Sequence, residues 1–551
     1  MKMKRFLSLA LAAVLSLSTA SVAFAEDKVL DASEDWKNLK TGEYTVSQAH
    51  TISEKVTVGK DQEVTIDFAD KDVTFAGDGM LVVEGTLTLK GTEGGLVRSD
   101  AATLTAPRLI DVKASGKLVI DGGEYHHNTD NGITVYNQGY LIVNNGGITA
   151  NYKQAIHTEN AENATARCDI NGGTIQGGYW GVGIFGDGHG NNDNSVLNIN
   201  GGNISTKKDD GQGVCTNASG GKYAGFTINI TGGEINAECG MYLPGPGVTN
   251  ISGNAVINGD LQGIRIAAGE LNISGGVIKS AGEANHEDSF IAGGSGGTNG
   301  VIAVGKAGDG YPGDIKINIT GGELANSKVG GDAIVVSDAN LGKDAYKDLK
   351  TEINVTHTDV TGNISVLTPS TPNDNNNGAN ISTMIGWGTT VDGEVKVDSK
   401  AASTALKGDA KIEKLTVAED NKGNTTVEES VVVEAPITGD NITMVPPTEE
   451  PNRPEDRTDR SGGDYFGNEK WAKVKREIAA AEEGDTIKVS ATGLPWFPSS
   501  VARALKGHDI TLEIRKNGTT YSVNGEKIGA IEKIWYEFDQ LEEKLLTAEA
   551  K

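Results

Sequence analysis

A series of short segments with the pattern glycine, apolar, any residue, apolar places side chains of differing chemistry at equivalent positions. Gly181-Val-Gly-Ile184 and Gly263-Ile-Arg-Ile266 are two examples. If the segments are strands of one sheet, their middle positions share a face because side chains alternate along a strand. Equal alignment of the segments predicts a column of Thr134, His157, Gly183, Cys215, Tyr242 and Arg265. A second column beside it would contain Tyr136, Glu159, Phe185 and Asn217.

This face is the candidate binding site because its residue types suit a sugar ligand. Arginine and histidine can hold the carboxylate or hydroxyl groups of a glycan, and tyrosine and tryptophan can stack on its rings. A column that served only to stabilise the fold would tend to repeat one residue type. The alternative is ordinary surface variation. The candidate glycan-binding face comprises Tyr136, His157, Glu159, Trp180, Tyr242 and Arg265.

Two polar segments could hold a cation. Asp187 and Asp193 flank one of them, and residues 371–380 form the other. Oxygen ligands of this kind suit Ca²⁺, but neither segment contains the complete EF-hand loop with its final bidentate glutamate. Cys168, Cys215 and Cys239 do not have metal-ligand spacing. We therefore expect no obligatory cofactor, with Ca²⁺ at Asp187 and Asp193 as the candidate metal site and solvated turns as the alternative.

The elements that would position these residues are strands of a repeating unit. Phe226-Thr-Ile-Asn-Ile-Thr-Gly-Gly-Glu-Ile235 returns along the chain in related forms such as Leu197-Asn-Ile-Asn-Gly-Gly-Asn-Ile204. Each copy alternates apolar and polar residues before a glycine turn, which predicts a short strand with one buried face. Copies recur about every 20–30 residues, a spacing typical of stacked coils. Such a unit buries its apolar face only by stacking on its neighbours.

The outward positions of this phrase predict ladders of amides and hydroxyls along the stack. Equivalent side chains about 4.8 Å apart can form hydrogen bonds from coil to coil, and a flat polar strip could also bind a polysaccharide. The first ladder contains Asp169, Asn198, Asn229, Asn250, Asn272, Asn318 and Asn354. The next ladder contains Asn171, Asn200, Thr231, Ser252, Ser274, Thr320 and Thr356.

With two or three short strands per coil, the chain resembles the right-handed, pectate-lyase-like parallel β-helix proteins. The resemblance implies the fold, whereas unrelated functions occur on this fold. Polygalacturonase-like motifs occur only in part. Asn128-Thr-Asp130, Gly188-His-Gly190 and Asp209-Asp210 are present, but the last two are in reversed order, and the lysine expected after Arg265-Ile266 is missing. Inverting hydrolysis needs two carboxyl groups within about 6.5–9.5 Å. Asp130 and Asp209 would lie too many coils apart.

Composition and charge narrow the class of protein. The chain has 551 residues with 74 glycines and a formal net charge of −26, which disfavours a nucleic-acid partner. Lys2, Lys4 and Arg5 precede an apolar core from Phe6 to Leu15 and a small-x-small site at Ala23-Phe-Ala25, which together predict a signal peptide over residues 1–25. No later run reaches about 18 apolar residues, so we expect a secreted protein without a membrane span.

The chain is predicted to be all-β, with a solenoid followed by a small α+β module. The solenoid occupies residues 26–435, a proline-rich acidic linker 436–463 and the module 464–551. Within the module the spacing of Ile531, Ile534, Phe538, Leu541 and Leu545 predicts a last helix. That helix would pack on its own domain or contact a protein partner.

The leading functional hypothesis is a secreted, non-catalytic protein that binds a polysaccharide or a cell-wall or host glycan, as an adhesin would. One alternative is a polysaccharide lyase or glycoside hydrolase that uses His157, Glu159 and Arg265. The other is a surface protein with a purely structural role. Convergent titratable side chains in a walled groove would favour the enzyme, whereas a flat face would favour binding or structure.

Overall fold

The structure is a computed structural model of the chain. It describes residues 28–98, 108–161, 164–186, 194–218, 225–285, 298–305, 313–337, 349–367, 380–421, 423–439, 441–448, 450, 468–491, 494, 497–516, 519–529, 531, 535–541 and 545–546. The predicted signal peptide, Asp187, Asp193, nearly all of residues 371–380 and residues 451–463 of the predicted linker lie outside the described residues.

Within the described residues, thirty-eight strands pair into one continuous parallel sheet that winds into three faces, so the fold is a parallel β-helix. The first face contains Lys28–Leu30, Gly42–Val46, Glu63–Asp67, Thr86–Lys90, Arg167–Ile170, Ser195–Ile199, Phe226–Ile230, Val248–Ile251, Thr351–Val355, Ile381–Ile385, Ser403–Leu406, Thr425–Glu428 and Ile442–Val445. Four longer strands begin in the first face and bend into the second: Lys117–His127, Tyr140–Ala150, Gly269–Ser280 and Ile315–Asn326.

The second and third faces complete each coil. The second face contains His50–Ile52, Asp72–Phe75, Gly95–Arg98, Thr174–Gly177, Asn203–Thr206, Asp359–Thr361 and Val432–Val433. The third contains Lys55–Val58, Met80–Val83, Arg108–Val112, Ile133–Asn137, Gln154–Glu159, Trp180–Gly186, Gln212–Ala218, Gly300–Val304, Asp332–Ser337 and Asn363–Leu367. Four strands bend from the second face into the third: Glu234–Leu243, Val256–Ile266, Thr390–Asp398 and Lys411–Val417.

The core is a stack of aliphatic side chains supplied by every second residue of the strands. Ile199, Ile230 and Ile251 are in register on successive coils of the first face, and each is at most 1% exposed. The second glycine of the Gly-Gly turns lets the chain bend out of the first face. Gly202 and Gly233 have φ values of 86° and 82°, a left-handed conformation that glycine adopts without steric cost.

The predicted amide ladder is confirmed on the outside of the first face. Six asparagines of the first predicted ladder donate their side-chain amides to the equivalent residue of the preceding coil, over 2.6–3.2 Å. They are Asn198, Asn229, Asn250, Asn272, Asn318 and Asn354. The ladder ends at Asp169, which accepts from Asn198 and also from Tyr140 and Arg167. Part of the neighbouring ladder is bonded in the same way, with Asn200 donating to Asn171 and Thr231 donating to Asn200.

The ends of the solenoid differ from its middle. Helix α1 (Ser33–Trp36) inserts the buried Trp36 against Phe68 and Phe75, as expected of a cap over the first coils. At the other end the first face continues to Ile442–Val445, beyond residue 435, where the sequence placed the end of the solenoid. Ile442–Val445 pairs with Thr425–Glu428, and Ile442 packs against the core of the solenoid, which explains the extension.

The C-terminal module has its own apolar core. Its elements are helix α2 (Asn468–Ala480), Thr486–Ser490, Phe497–Pro498, helix α3 (Ser499–Leu505), Thr511–Lys516, Thr519–Asn524, the 3₁₀ turn Gly525–Lys527, Trp535–Tyr536 and the 3₁₀ turn Phe538–Gln540. Thr511–Lys516 and Thr519–Asn524 form an antiparallel hairpin. No helix within the described ranges is long and apolar enough to cross a membrane.

The prediction of one continuous last helix is wrong in the part of it that the structure describes. Trp535–Tyr536 is a strand that pairs with Phe497–Pro498, and Phe538–Gln540 is a 3₁₀ turn. The side chains of Phe538, Leu541 and Leu545 are each at most 3% exposed in the core of the module. Burial inside the domain therefore explains the apolar spacing without a helical stripe that faces a partner.

Candidate functional site

The third face carries most of the candidate residues, but its register differs from the predicted alignment. Tyr136, not Thr134, pairs with His157, and the column continues through Gly183, Cys215, Tyr242 and Arg265. A shift of two residues keeps the same side chains inside, so apolar alternation alone does not determine which of these registers forms.

Tyr136 and His157 belong to a continuous stack of flat side chains. The guanidinium carbon of Arg108 lies 3.3 Å from the Tyr136 ring centroid. The Tyr136 and His157 rings are 4.7 Å apart and 14° from parallel, and the His157 and Phe185 rings are 4.2 Å apart and 5° from parallel.

Gly183 makes room for the Phe185 ring in this stack. A Cβ atom at Gly183 would lie 2.2 Å from Cε2 of Phe185, closer than any carbon contact allows. The Phe185 ring therefore fills the position in the column where Gly183 has no side chain. The stack runs from Arg108 to Phe185, and Phe185 packs against the next buried cluster, which contains Cys215 and Tyr242.

Glu159 joins two members of this stack. The Tyr136 hydroxyl donates to Oε2 of Glu159, and Nε2 of His157 lies 3.3 Å from the same oxygen. Burial lowers the pKa of His157, whereas burial raises the pKa of Tyr136, and the hydrogen bond to Glu159 adds to that rise. Burial alone would raise the pKa of Glu159, but hydrogen bonds from His157 and Tyr136 lower it overall. The stack therefore holds a neutral imidazole beside an ionised carboxylate.

The lowered pKa of His157 predicts a loss of stability in acid. A histidine that resists protonation in the fold but takes a proton at about pH 6.5 when unfolded loses its stabilising contribution as the pH falls below that value. We expect His157→Phe to keep the stacking and remove this dependence. The difference in unfolding free energy between variant and wild type should move in favour of the variant by at most about 2 kcal/mol between pH 7.5 and pH 5.

Urea denaturation at both pH values measures this difference. His126→Phe is the matched control because His126 is a partly exposed imidazole on the second face. A constant difference between His157→Phe and wild type at both pH values would contradict the prediction.

Tyr242 and Arg265 are together at the far end of the column. The guanidinium carbon of Arg265 lies 5.4 Å from the Tyr242 ring centroid, and only 2% of Arg265 is exposed. Burial lowers the pKa of Arg265 and raises that of the nearby Cys239 thiol. Tyr136, His157, Tyr242 and Arg265 are each at most 9% exposed. Their side chains lie on the outer side of the third face but are buried, whereas Glu159 and Trp180 are partly exposed.

A partly exposed aromatic cluster that includes Trp180 lies at the turn between the second and third faces. The Tyr152 and Tyr179 rings meet edge to face at 4.9 Å, and Tyr179 lies 5.9 Å from Trp180. Nε1 of Trp180 donates to Oε1 of Gln212, which fixes the indole. Tyr152 is 37% exposed. We call Tyr152, Tyr179 and Trp180 the aromatic trio. Tyr152 and Tyr179 are not among the residues predicted for the binding face, although Tyr179-Trp180 in a turn was a visible signal.

A polar cavity of about 260 Å³ borders the aromatic trio on the outside of the second face. Lys208 joins the two, because it lines the cavity and its Nζ lies 5.5 Å from the Tyr152 ring centroid. The cavity is lined by Ser205, Thr206, Lys207, Lys208, Asp209, Asn236, Ala237, Asn258 and Asp260.

Four carboxyl groups lie in or near this cavity, those of Asp209, Asp210, Glu238 and Asp260. Burial raises the pKa of Glu238 to about 7, and the nearby carboxylates of Asp210, Asp260 and Asp209 add to the rise. Oε1 of Glu238 is buried and has no hydrogen-bond partner among the described residues. Nowhere in the described ranges do three or more histidine, cysteine or acidic residues form a group that could hold a metal ion. The predicted Ca²⁺ ligands Asp187 and Asp193 lie outside those ranges.

The fold and these surfaces together define the chain as a parallel β-helix protein with a separate C-terminal α+β module. Comparisons with known proteins give no match to any family model, curated protein or solved structure. The geometry of the chain's own residues is therefore the basis for its function. The aromatic trio and the adjoining polar cavity are open to a ligand. The stacked column on the third face is buried.

Proposed function

We propose that this chain is a secreted, non-catalytic carbohydrate-binding protein of the adhesin type, built on a right-handed, pectate-lyase-like β-helix. The observation that carries the proposal is the aromatic trio next to a polar cavity. Sugars present apolar ring faces and polar edges, so binding sites combine aromatic platforms with a few placed hydrogen-bonding groups. Tyr152 and Tyr179 supply the platform, and Ser205, Asn236 and Asn258 supply hydroxyl and amide groups beside it.

The arrangement suits an extended polysaccharide more than a single sugar. Ser205, Asn236 and Asn258 belong to strands in register on successive coils, so their polar groups repeat along the solenoid axis. Nδ2 of Asn258 donates to Oδ1 of Asn236 at 2.8 Å, which holds these amides in place. A repeating polymer that lies along the axis would meet the same groups at each coil.

Removal of the tyrosine rings should abolish most of the binding. We expect Tyr152→Ala and Tyr179→Ala each to weaken retention on the responsive polysaccharide about tenfold, the effect of removing one well-packed aromatic contact of about 1.4 kcal/mol. Trp387→Ala is the matched control. Trp387 is another partly exposed aromatic, with Nζ of Lys407 at 5.8 Å from its ring centroid, far along the chain from the cavity.

The test uses residues 26–551 on a panel of plant and mucin polysaccharides, with and without Ca²⁺. Each sample is read for retention and for release of reducing or unsaturated ends. Retention that depends on Tyr152 and Tyr179 supports the proposal. If Trp387→Ala reduced retention as much as the tyrosine variants do, the result would argue against this site. If wild type were retained on no glycan, a purely structural role would remain.

One observation favours the alternative of glycan cleavage. Glu238, with its pKa raised to about 7, would be about half protonated at neutral pH and lies near Asp209 and Asp260. Glycoside hydrolysis uses a protonated and an ionised carboxyl group on either side of the bond. Release of ends by wild type, and its loss in Glu238→Gln, would replace the binding proposal with this one.

A further inference from the structure

Ionic contacts join the C-terminal module to the second face of the solenoid. Nη2 of Arg503 in α3 lies 3.5 Å from Oε1 of Glu323, and Lys475 in α2 pairs with Asp359. Earlier along the chain, Oε1 of Glu450 lies 2.9 Å from Nε2 of His357. The chain therefore turns back after its last coil and returns along the side of the solenoid.

The burial of one column on the second face shows where the module sits. This column runs through the paired positions Thr174, Asn203, Glu234, Val256, Val277, Glu323, Asp359, Thr390 and Lys411. Its residues are exposed at both ends, yet Val277 and Glu323 are each 6% exposed. All of these positions face outward, so a covering layer explains the burial in the middle. The contacts of Arg503 and Lys475 identify that layer as the C-terminal module.

We propose that the C-terminal module docks reversibly on this column and that protonation of Glu323 holds it there. A carboxylate in this position loses its hydration when the module docks, and one long contact to Arg503 compensates only partly. A protonated Glu323 is buried without that loss. The module thus acts as a cover that tightens in acid and loosens as the pH rises.

The charges around Glu323 agree with this direction. Arg503 faces it from α3, Lys475 from α2, and Lys279 and Asp359 from neighbouring coils. Burial raises the pKa of Glu323 to about 7 from an ordinary value of 4.5, more than the three cations lower it. Because docking raises the pKa of Glu323, docking is strongest at low pH. It weakens as the pH rises toward the pKa that Glu323 has in the docked state. If the released state has the ordinary value, docking should be up to about 30-fold weaker at pH 8.5 than at pH 5.5.

Release would lengthen the open strip beside the cavity. Lys279 follows Asn258 on the next coil and is partly buried with the module docked. Burial lowers its pKa in this state. Undocking would add Lys279 to the polar groups of Asn236 and Asn258.

Hydroxyl-radical footprinting of residues 26–551 at pH 5.5 and pH 8.5 tests the proposal, with Val277 as the probe. Val329, which is fully exposed, gives the accessible rate, and Val355 at 0% exposure gives the buried rate. We expect the Val277 oxidation rate to rise at least tenfold at pH 8.5 in wild type. In Glu323→Gln, which mimics the protonated acid, it should stay low at both pH values.

Glu234→Gln is the matched control, an exposed glutamate in the same column. It should respond to pH as wild type does. A Val277 rate that is equal at both pH values in wild type, or that rises equally in Glu323→Gln, would overturn the proposal. Small-angle scattering provides a second measurement, because the maximum dimension of wild type should increase at pH 8.5 and that of Glu323→Gln should not.

Discussion

Ile230→Ala should lower the unfolding free energy of the solenoid by about 3 kcal/mol. Ile230 is 1% exposed and stacks between Ile199 and Ile251 on the neighbouring coils. Removal of its side-chain carbons loses buried apolar surface and leaves a cavity that rigid neighbouring coils do not fill. The loss should affect both interfaces of the coil, because each repeat is stabilised only by its neighbours.

Urea denaturation followed by far-ultraviolet circular dichroism measures this loss. Thr227→Ala is the control, since Thr227 lies on the same strand but faces outward and is partly exposed. It should change the unfolding free energy by no more than about 0.5 kcal/mol. Equal effects of the two substitutions would mean that the aliphatic stack is not the main source of stability.

Asp169→Asn should cost about 2–3 kcal/mol at pH 7, although it changes one atom. The two carboxylate oxygens of Asp169 accept from Tyr140, Arg167 and Asn198. An asparagine offers one acceptor oxygen and turns an amide toward these donors. It also leaves the Arg167 guanidinium without its ionic partner, which lies 2.9 Å away.

The cost of Asp169→Asn should depend on pH. Burial raises the pKa of Asp169, but hydrogen bonds from Arg167, Tyr140 and Asn198 lower it overall, below its ordinary value of 3.8. The carboxylate therefore contributes stability above about pH 4 and loses it as the pH falls through the lowered value. Urea midpoints from pH 7 down to pH 2.5 should converge for Asp169→Asn and wild type. The exposed Asp61→Asn should show no such cost at pH 7, and a constant gap across this range would contradict the assignment.

The repeated phrase was enough to predict the fold and the amide ladder. Alternation places Asn198 and Asn229 outward on equivalent coils, and strand spacing then brings their amides within bonding distance. The register of the third face could not be predicted from the alternation, because a two-residue shift of Ile133–Asn137 leaves the same side chains in the core.

The open part of the candidate site was less accessible to sequence reasoning. Tyr152 and Tyr179 lie in turns outside the repeated phrase, and their contact arises only when neighbouring coils stack. The burial of outward-facing residues could not be predicted from the alternation either. Arg265 occupies an outward position of its strand, yet it is 2% exposed. Alternation shows which side of a strand a residue takes, not what covers that side.

The amide ladder has a direction, and that direction gives the solenoid an electrical polarity. All six amide donors point toward the N-terminal coils, so their dipoles add with the positive end at Asp169. A carboxylate at that end resembles an acidic residue at the positive end of a helix. Asp169 can only accept, so it sets the orientation of Asn198, which sets that of Asn229 in turn. One carboxylate therefore orients a row of dipoles six coils long, and each bond polarises the next.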